Sequence, residues 1–320
     1  MHRRVLAGVA VLVICSLSAA AQLANSSTSP AAASSDPAPD LSAPLPDIQT
    51  LLTRVRARYD ALESLRKNYI CIMTEVADEF SSDGSKKTHT NQYQAFYVHN
   101  TLVLQHIAHD DKPLSPDDAK KEQERVDKLV AKLKSRENKP PKDEVRLSAS
   151  GLLKVASFTN PHREVLNGRP TLVFDYKGDP HAEAKDLGDE IMRQLAGTLW
   201  VDERDDAIVR LSGTLQENFH VGGGLLVNIK KGSWFNFTQS LVNSEIWFPA
   251  DFTAHVDGRF LLVKGFNGDG RQTYSDYRKL TTSVTILPGT QVLEDPDTTP
   301  PQPSNPTQTP ATPTATTPKP

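Results

Sequence analysis

Little in this chain could carry the familiar kinds of catalytic or metal chemistry. Its 320 residues include two cysteines, three tryptophans and three methionines. Two cysteines exclude a disulfide-stapled small fold and a four-cysteine zinc site. Charge of one sign is not in excess, with 36 Lys and Arg against 39 Asp and Glu. There is therefore no basic field for nucleic acid. Long apolar runs are missing as well. The run from Val5 to Leu17 falls short of the about 20 residues that span a bilayer. A P-loop, a G-x-G-x-x-G turn, an H-E-x-x-H helix and a G-x-S-x-G elbow are all absent.

What is present begins with a secretory signature. Arg3 and Arg4 precede the apolar run, and Ala19, Ala20 and Ala21 form a small-residue cleavage site. Residues 1–21 are read as a signal peptide cleaved after Ala21, which places the mature protein in the periplasm or outside the cell. Loss of the two arginines takes the net charge from −3 to −5. It also leaves Cys71 as the sole cysteine, in the apolar run Tyr69-Ile70-Cys71-Ile72-Met73, where a buried, unreactive thiol is expected.

Proline is plentiful at 23 residues, but fourteen of these lie in two low-complexity ends and a fifteenth, Pro46, at the edge of the folded domain. Residues 22–45 read as a disordered linker and 288–320 as a disordered Pro/Thr-rich tail, because neither buries enough apolar surface to offset chain entropy. One folded domain, 46–287, remains. Of its eight prolines beyond Pro46, only Pro249 is expected within a strand.

Within that domain, Ile48, Leu51, Leu52, Val55, Tyr59, Leu62 and Leu65 recur with helical spacing and predict a helix over 47–66. The period then falls to two. Strands are expected at 69–76, within 88–107, near 145–156 and at 170–177. Ser115 and Pro116 open a charged helix over 115–137, within a segment, about 110–142, that reads as a helical insertion. From Asp110 to Arg146 there are 11 basic and 10 acidic residues, so the helix is read as mostly solvated, with a lid as the alternative. A further helix is expected at 182–196, capped by Gly197. From Gly197 onward, short polar turns separate strands, which marks an antiparallel meander. The class is α+β with one large antiparallel sheet.

Histidines and acids invite a metal reading. His106 and His109 would face opposite sides of a regular strand, so with His99 they are not expected to share an ion. His162 and His181 are assigned to loops. Asp202, Glu203, Asp205 and Asp206 are read as turn chemistry rather than a calcium site. His220 and the glycines after it are taken as a hairpin or bulge. No cofactor, no metal and no enzymatic activity are expected.

The surplus lies elsewhere, in strands that are apolar on both faces: Leu172, Phe174 and Tyr176 oppose Val173, and Trp200 alternates with Leu199 and Val201. A one-sided sheet would alternate apolar and polar. The order of elements, with Arg58-Tyr59-Asp60-Ala61-Leu62-Glu63-Ser64-Leu65 in the first helix and Gly197-Thr198-Leu199-Trp200-Val201-Asp202 opening the meander, resembles the LolA/LolB-like superfamily. Trp247-Phe248-Pro249 and Tyr274-Ser275-Asp276-Tyr277-Arg278-Lys279-Leu280 look like relatives loosely called lipoprotein-sorting proteins.

The resemblance, over roughly 46–285, implies an unclosed β-barrel: a large curved antiparallel sheet covered on its concave face by helices, with an apolar cavity for acyl chains between the two. It implies a carrier or binder of a lipid or an acylated lipoprotein, the alternative being a cell-envelope module that binds or senses a protein partner. Phe174, Tyr176, Trp200, Phe235, Phe237, Phe252 and Leu261 are the candidate lining. A long acyl chain leaving a membrane costs on the order of 10 kcal/mol, at about 0.8 kcal/mol per CH2, which such a lining must offset.

Overall fold

Asp47 starts the first helix, α1 (Ile48–Ala61), by accepting a hydrogen bond from the Thr50 amide at 2.8 Å. A separate turn, α2 (Glu63–Arg66), follows, so the expected single helix is broken at Leu62, whose amide caps α1. The computed structural model describes residues 41–81, 83–99, 101–135, 149–221, 227–260 and 264–280. The expected signal segment, most of the first linker, Leu261 and the Pro/Thr tail lie outside them. No described helix is long and apolar enough to cross a membrane.

Three further helices are described: α3 (Pro116–Lys134), α4 (Ala149–Val155) and α5 (Leu187–Met192). The strands are β1 (Tyr69–Phe80), β2 (Lys86–Val98), β3 (Thr101–His109), β4 (Lys112–Pro113), β5 (Ala156–Leu166), β6 (Arg169–Gly178), β7 (Leu195–Asp202), β8 (Ala207–Leu215), β9 (Phe219–Val221), β10 (Val227–Ile229), β11 (Trp234–Val242), β12 (Ile246–Phe260) and β13 (Lys264–Lys279). They form one 13-stranded sheet in the order β4-β3-β2-β1-β13-β12-β11-β8-β7-β6-β5, with β10 beside the end of β12 and β9 beside β10. Every pairing is antiparallel. Among the described residues β4 and β5 do not pair, so the sheet stays unclosed.

Several expectations are corrected. Residues 149–155 are helical where a strand was expected, and β5 begins only at Ala156. The helix expected at 182–196 is six residues long, ends at the Arg193 cap, and leaves Gly197 inside β7. A Cβ at Gly197 would lie 1.9 Å from the Ser212 carbonyl oxygen, so close strand approach, not helix capping, requires this glycine. His162 belongs to β5 rather than a loop. Pro113, Pro161 and Pro170 join Pro249 in strands. Pro161 sits on edge strand β5 at a register shift, and Pro249 sits beside another in β12. Those are places where a missing N–H is tolerated.

The charged helix α3 lies across the sheet with most of its surface exposed, as its charge predicts. Ser115 caps it, and its stripe of Val126, Val130 and Leu133 is buried where it packs on β3 and β2. Gln105 donates to Gln123 at 3.0 Å, which places α3 on the Val103 face of the sheet. From there two side chains reach the edge of β3. Glu122 accepts from the His106 amide at 2.7 Å, and Arg125 donates to the Leu104 carbonyl at 2.6 Å. Unpaired edge groups are a template for intermolecular pairing, and α3 occupies two of them. Replacing both Glu122 and Arg125 by Ala is expected to cost about 2 kcal/mol, given the worth of charged hydrogen bonds, and to raise self-association. Sizing chromatography against concentration, with urea unfolding, checks both.

Candidate functional site

Among the described residues, the candidate lining residues other than Trp200 lie on the face opposite α3. Residues paired directly across antiparallel strands point to the same face, so the pairings trace rows across the sheet. One row runs Phe174–Leu199–Leu211–Phe237–Phe252 across five strands, then Gln272–Glu75–Asn91–His109 across four more. The neighbouring row runs Tyr176–Gly197–Gly213–Phe235–Ala254–Gly270–Ala77–His89. Along these two rows the face is apolar from β6 to β12 and mostly polar from β13 to β3, while further along β13, β1 and β2 it carries the apolar cluster of Tyr274, Cys71, Met73 and Ala95.

The apolar half is covered by helices. Leu51, Leu52 and Val55 of α1, Leu152 and Val155 of α4 and Met192 of α5 share one cluster with Phe174, Tyr176, Phe235, Phe237 and Phe252. Five of the seven candidate lining residues therefore meet in one place. The Phe235 and Phe252 rings stack at 6.2 Å. Gly213 makes room for them, since a Cβ there would sit 2.5 Å from the Phe235 ring and 2.6 Å from the Tyr176 hydroxyl. Trp200 is placed elsewhere. It projects from the other side of β7 between Leu199 and Val201, donates to Glu164 at 2.8 Å and lies under the Arg210 guanidinium at 4.6 Å. Leu261 lies outside the described residues.

The Tyr176 hydroxyl is buried in this cluster with no hydrogen-bond partner among the described residues. Burial raises its pKa well above the ordinary tyrosine value, so it is a neutral donor. An unsatisfied buried hydroxyl costs about 1–3 kcal/mol. Tyr176→Phe is accordingly expected to raise stability by about 1 kcal/mol, read from the urea midpoint.

The acids of the β7–β8 turn anchor this assembly. Arg169 donates to Asp202 at 2.5 and 2.8 Å and to Asp205 at 2.6 Å. Arg163 donates to Glu203 at 2.5 and 2.8 Å. Arg54 of α1 donates to both oxygens of Asp206 at 3.1 and 3.0 Å. Each of the four acids has an arginine from another element, and one of those arginines ties α1 over the apolar face. Cys71 is buried, and burial pushes its thiol up to about 12, as an inert thiol requires.

No family model matches this chain, and no curated protein does. Solved structures do show likenesses. An assigned outer membrane lipoprotein-sorting protein domain from Vibrio parahaemolyticus aligns at a TM-score of 0.33 and 12% identity, over 72% of this chain and 92% of that one. A DUF1329 family protein from Desulfovibrio piger gives 0.29 and 9%, over 74% and 92%. A LolA superfamily protein from Nitrosomonas europaea gives 0.27 and 11%, over 72% and 94%. The chain is similar to lipoprotein-sorting and LolA-superfamily domains. At scores this low, the strand pairing defines its fold, not the superposition.

Proposed function

We propose that the protein is a non-enzymatic binder or carrier of an apolar ligand, a lipid or the acyl chains of a lipoprotein, acting in the periplasm or outside the cell. The observation that carries this reading is the aromatic face of β6–β12, which lies under α1 and two short helices and encloses one unsatisfied hydroxyl. α4 spans seven residues and α5 six, so each covers only about 10 Å at 1.5 Å per residue. Such short covers can separate from the sheet more readily than long helices.

The magnitudes agree. A sixteen-carbon chain needs about 12 kcal/mol on leaving a membrane, which corresponds to roughly 480 Å² of apolar contact at 25 cal/mol per Å². Phe174, Tyr176, Phe235, Phe237 and Phe252 bury on the order of 1,000 Å² at about 200 Å² each, now covered by one another and by the helices, so a ligand that takes the helices' place over about half of that area would suffice. The Tyr176 hydroxyl is placed to donate to an ester or amide carbonyl of such a ligand.

The mature protein purified from its own envelope without detergent tests this by native mass spectrometry and solvent extraction. One bound lipid or acylated species per chain is expected, with reduced retention in Phe252→Leu and Tyr176→Phe. A ligand-free protein that also fails to take up a fluorescent fatty acid or a synthetic lipopeptide refutes it.

A further inference from the structure

The polar half of the same face ends in a cluster that the apolar reading does not use. His89 on β2, His109 at the end of β3 and Asp110 in the turn to β4 each offer a ligand atom, and those atoms lie within 4.8 Å of one another. A regular β3 would set His106 and His109 on opposite sides. It is not regular. Gln92 pairs with Ala108 while Tyr93 pairs with His106, so Ile107 is an extra residue. This bulge reverses the alternation and brings the His106 and His109 rings within 6.4 Å. It overturns the physical reason for dismissing histidine ligation at this end of the chain.

We propose that His89, His109 and Asp110 bind one divalent transition-metal ion of the zinc class. The support lies in how His109 is held. Its Nδ1 donates to Asn91 Oδ1 at 2.8 Å, which leaves Nε2 as the bare nitrogen of the neutral ring. Asn91 is itself fixed, because its Nδ2 donates to buried Glu75 at 3.2 Å, so its oxygen must face His109. A histidine ligand oriented by a second-layer acceptor is the usual arrangement in metal sites.

His109 Nε2 lies 3.2 Å from Asp110 Oδ2. Two ligands about 2.1 Å from one ion are about 3.0 Å apart in octahedral and about 3.4 Å apart in tetrahedral geometry, and the observed separation lies between these. The other carboxylate oxygen is positioned by the Thr90 amide at 3.1 Å. The His89 ring stacks on His109 at 5.8 Å, and its buried Nδ1 has no hydrogen-bond partner among the described residues. A shared ion requires only that the His89 side chain turn toward the other two ligands. Two imidazoles and one carboxylate suit zinc, nickel or copper far better than calcium or magnesium. The ion would join β2 to the β3–β4 turn.

Isothermal titration of the mature chain with Zn2+, together with the visible spectrum of a Co2+ complex, tests the site. One ion per chain is expected. His89→Ala and His109→Ala should each weaken binding at least tenfold. Asn91→Ala should weaken it by about tenfold, as loss of a second-layer partner does, and Asn91→Asp, which keeps the acceptor, should restore it. His181→Ala should leave binding unchanged, and circular dichroism confirms that each variant is folded. Absence of a one-to-one event, or an affinity unaltered in the folded His89→Ala/His109→Ala double variant, overturns the proposal. In that case the cluster is a histidine–aspartate ion pair only.

Discussion

Asp202→Ala is expected to lower the unfolding free energy by about 3 kcal/mol, the lower end of what breaking a buried ion pair costs. The Asp202 side chain is 1% exposed and meets Arg169 through two hydrogen bonds. Its Oδ1 also accepts from the Arg204 and Asp205 amides at 3.0 and 2.8 Å. Removing the carboxylate leaves those amides and one end of a guanidinium without an acceptor. The loss stays at the lower end because Arg169 is 21% exposed and keeps Asp205. Asp202→Asn preserves the oxygen for the turn amides and loses only the charge, so about half that cost is expected. Urea unfolding followed by circular dichroism ranks the two. Equal and small losses would show that the turn is held by solvent-exposed contacts and that α1 is not anchored through it.

The four acids of that turn illustrate what a sequence can and does not display. Their grouping between two strands identifies a turn, but their partners Arg54, Arg163 and Arg169 lie up to 152 positions away. Helical spacing was legible where the apolar stripe was long, as in α1 and α3. At 149–155 a short apolar run suits a strand and a helix equally, and the expected strand is a helix; at 182–196 the helical spacing runs beyond the six residues that are helical. The sheet faces were harder. Phe174, Phe235, Phe237 and Phe252 share a face because of register, and register shifts occur in β1–β13, β2–β3, β5–β6, β7–β8 and β11–β12.

Each shift adds a residue that reverses the alternation beyond it, and nothing local in the sequence marks the spot. Trp200 shows the limit beside the shift in β7–β8. Apolar side chains alternate onto both faces of β7, so period alone does not say which of Leu199 and Trp200 points toward the helices. His109 shows the same limit at a bulge, where the extra Ile107 assembles a ligand cluster that regular spacing denied.

Gly197→Ala distinguishes close strand approach from helix capping at that glycine. A glycine that merely caps a helix tolerates alanine at a cost of about 1 kcal/mol, the penalty of a left-handed backbone. In β7, Gly197 faces Gly213 of β8, and an added methyl would lie 1.9 Å from the Ser212 carbonyl oxygen and 2.7 Å from its carbon. Backbone cannot yield as a side-chain tip can, so β7 and β8 must separate and weaken their ladder at the centre of the aromatic face.

Overpacking that displaces backbone costs about 1–3 kcal/mol in ordinary cores, and the loss here is expected at or above the upper end of that range. The fluorescence of Trp200 and the urea midpoint report it together. The same displacement moves Tyr176, which pairs with Gly197, and Phe235, which packs over Gly213. Retention of a fatty acid should therefore fall in parallel with stability. A variant that loses stability but keeps its ligand would mean that the ligand sits away from β7 and β8, on the part of the face nearer β12.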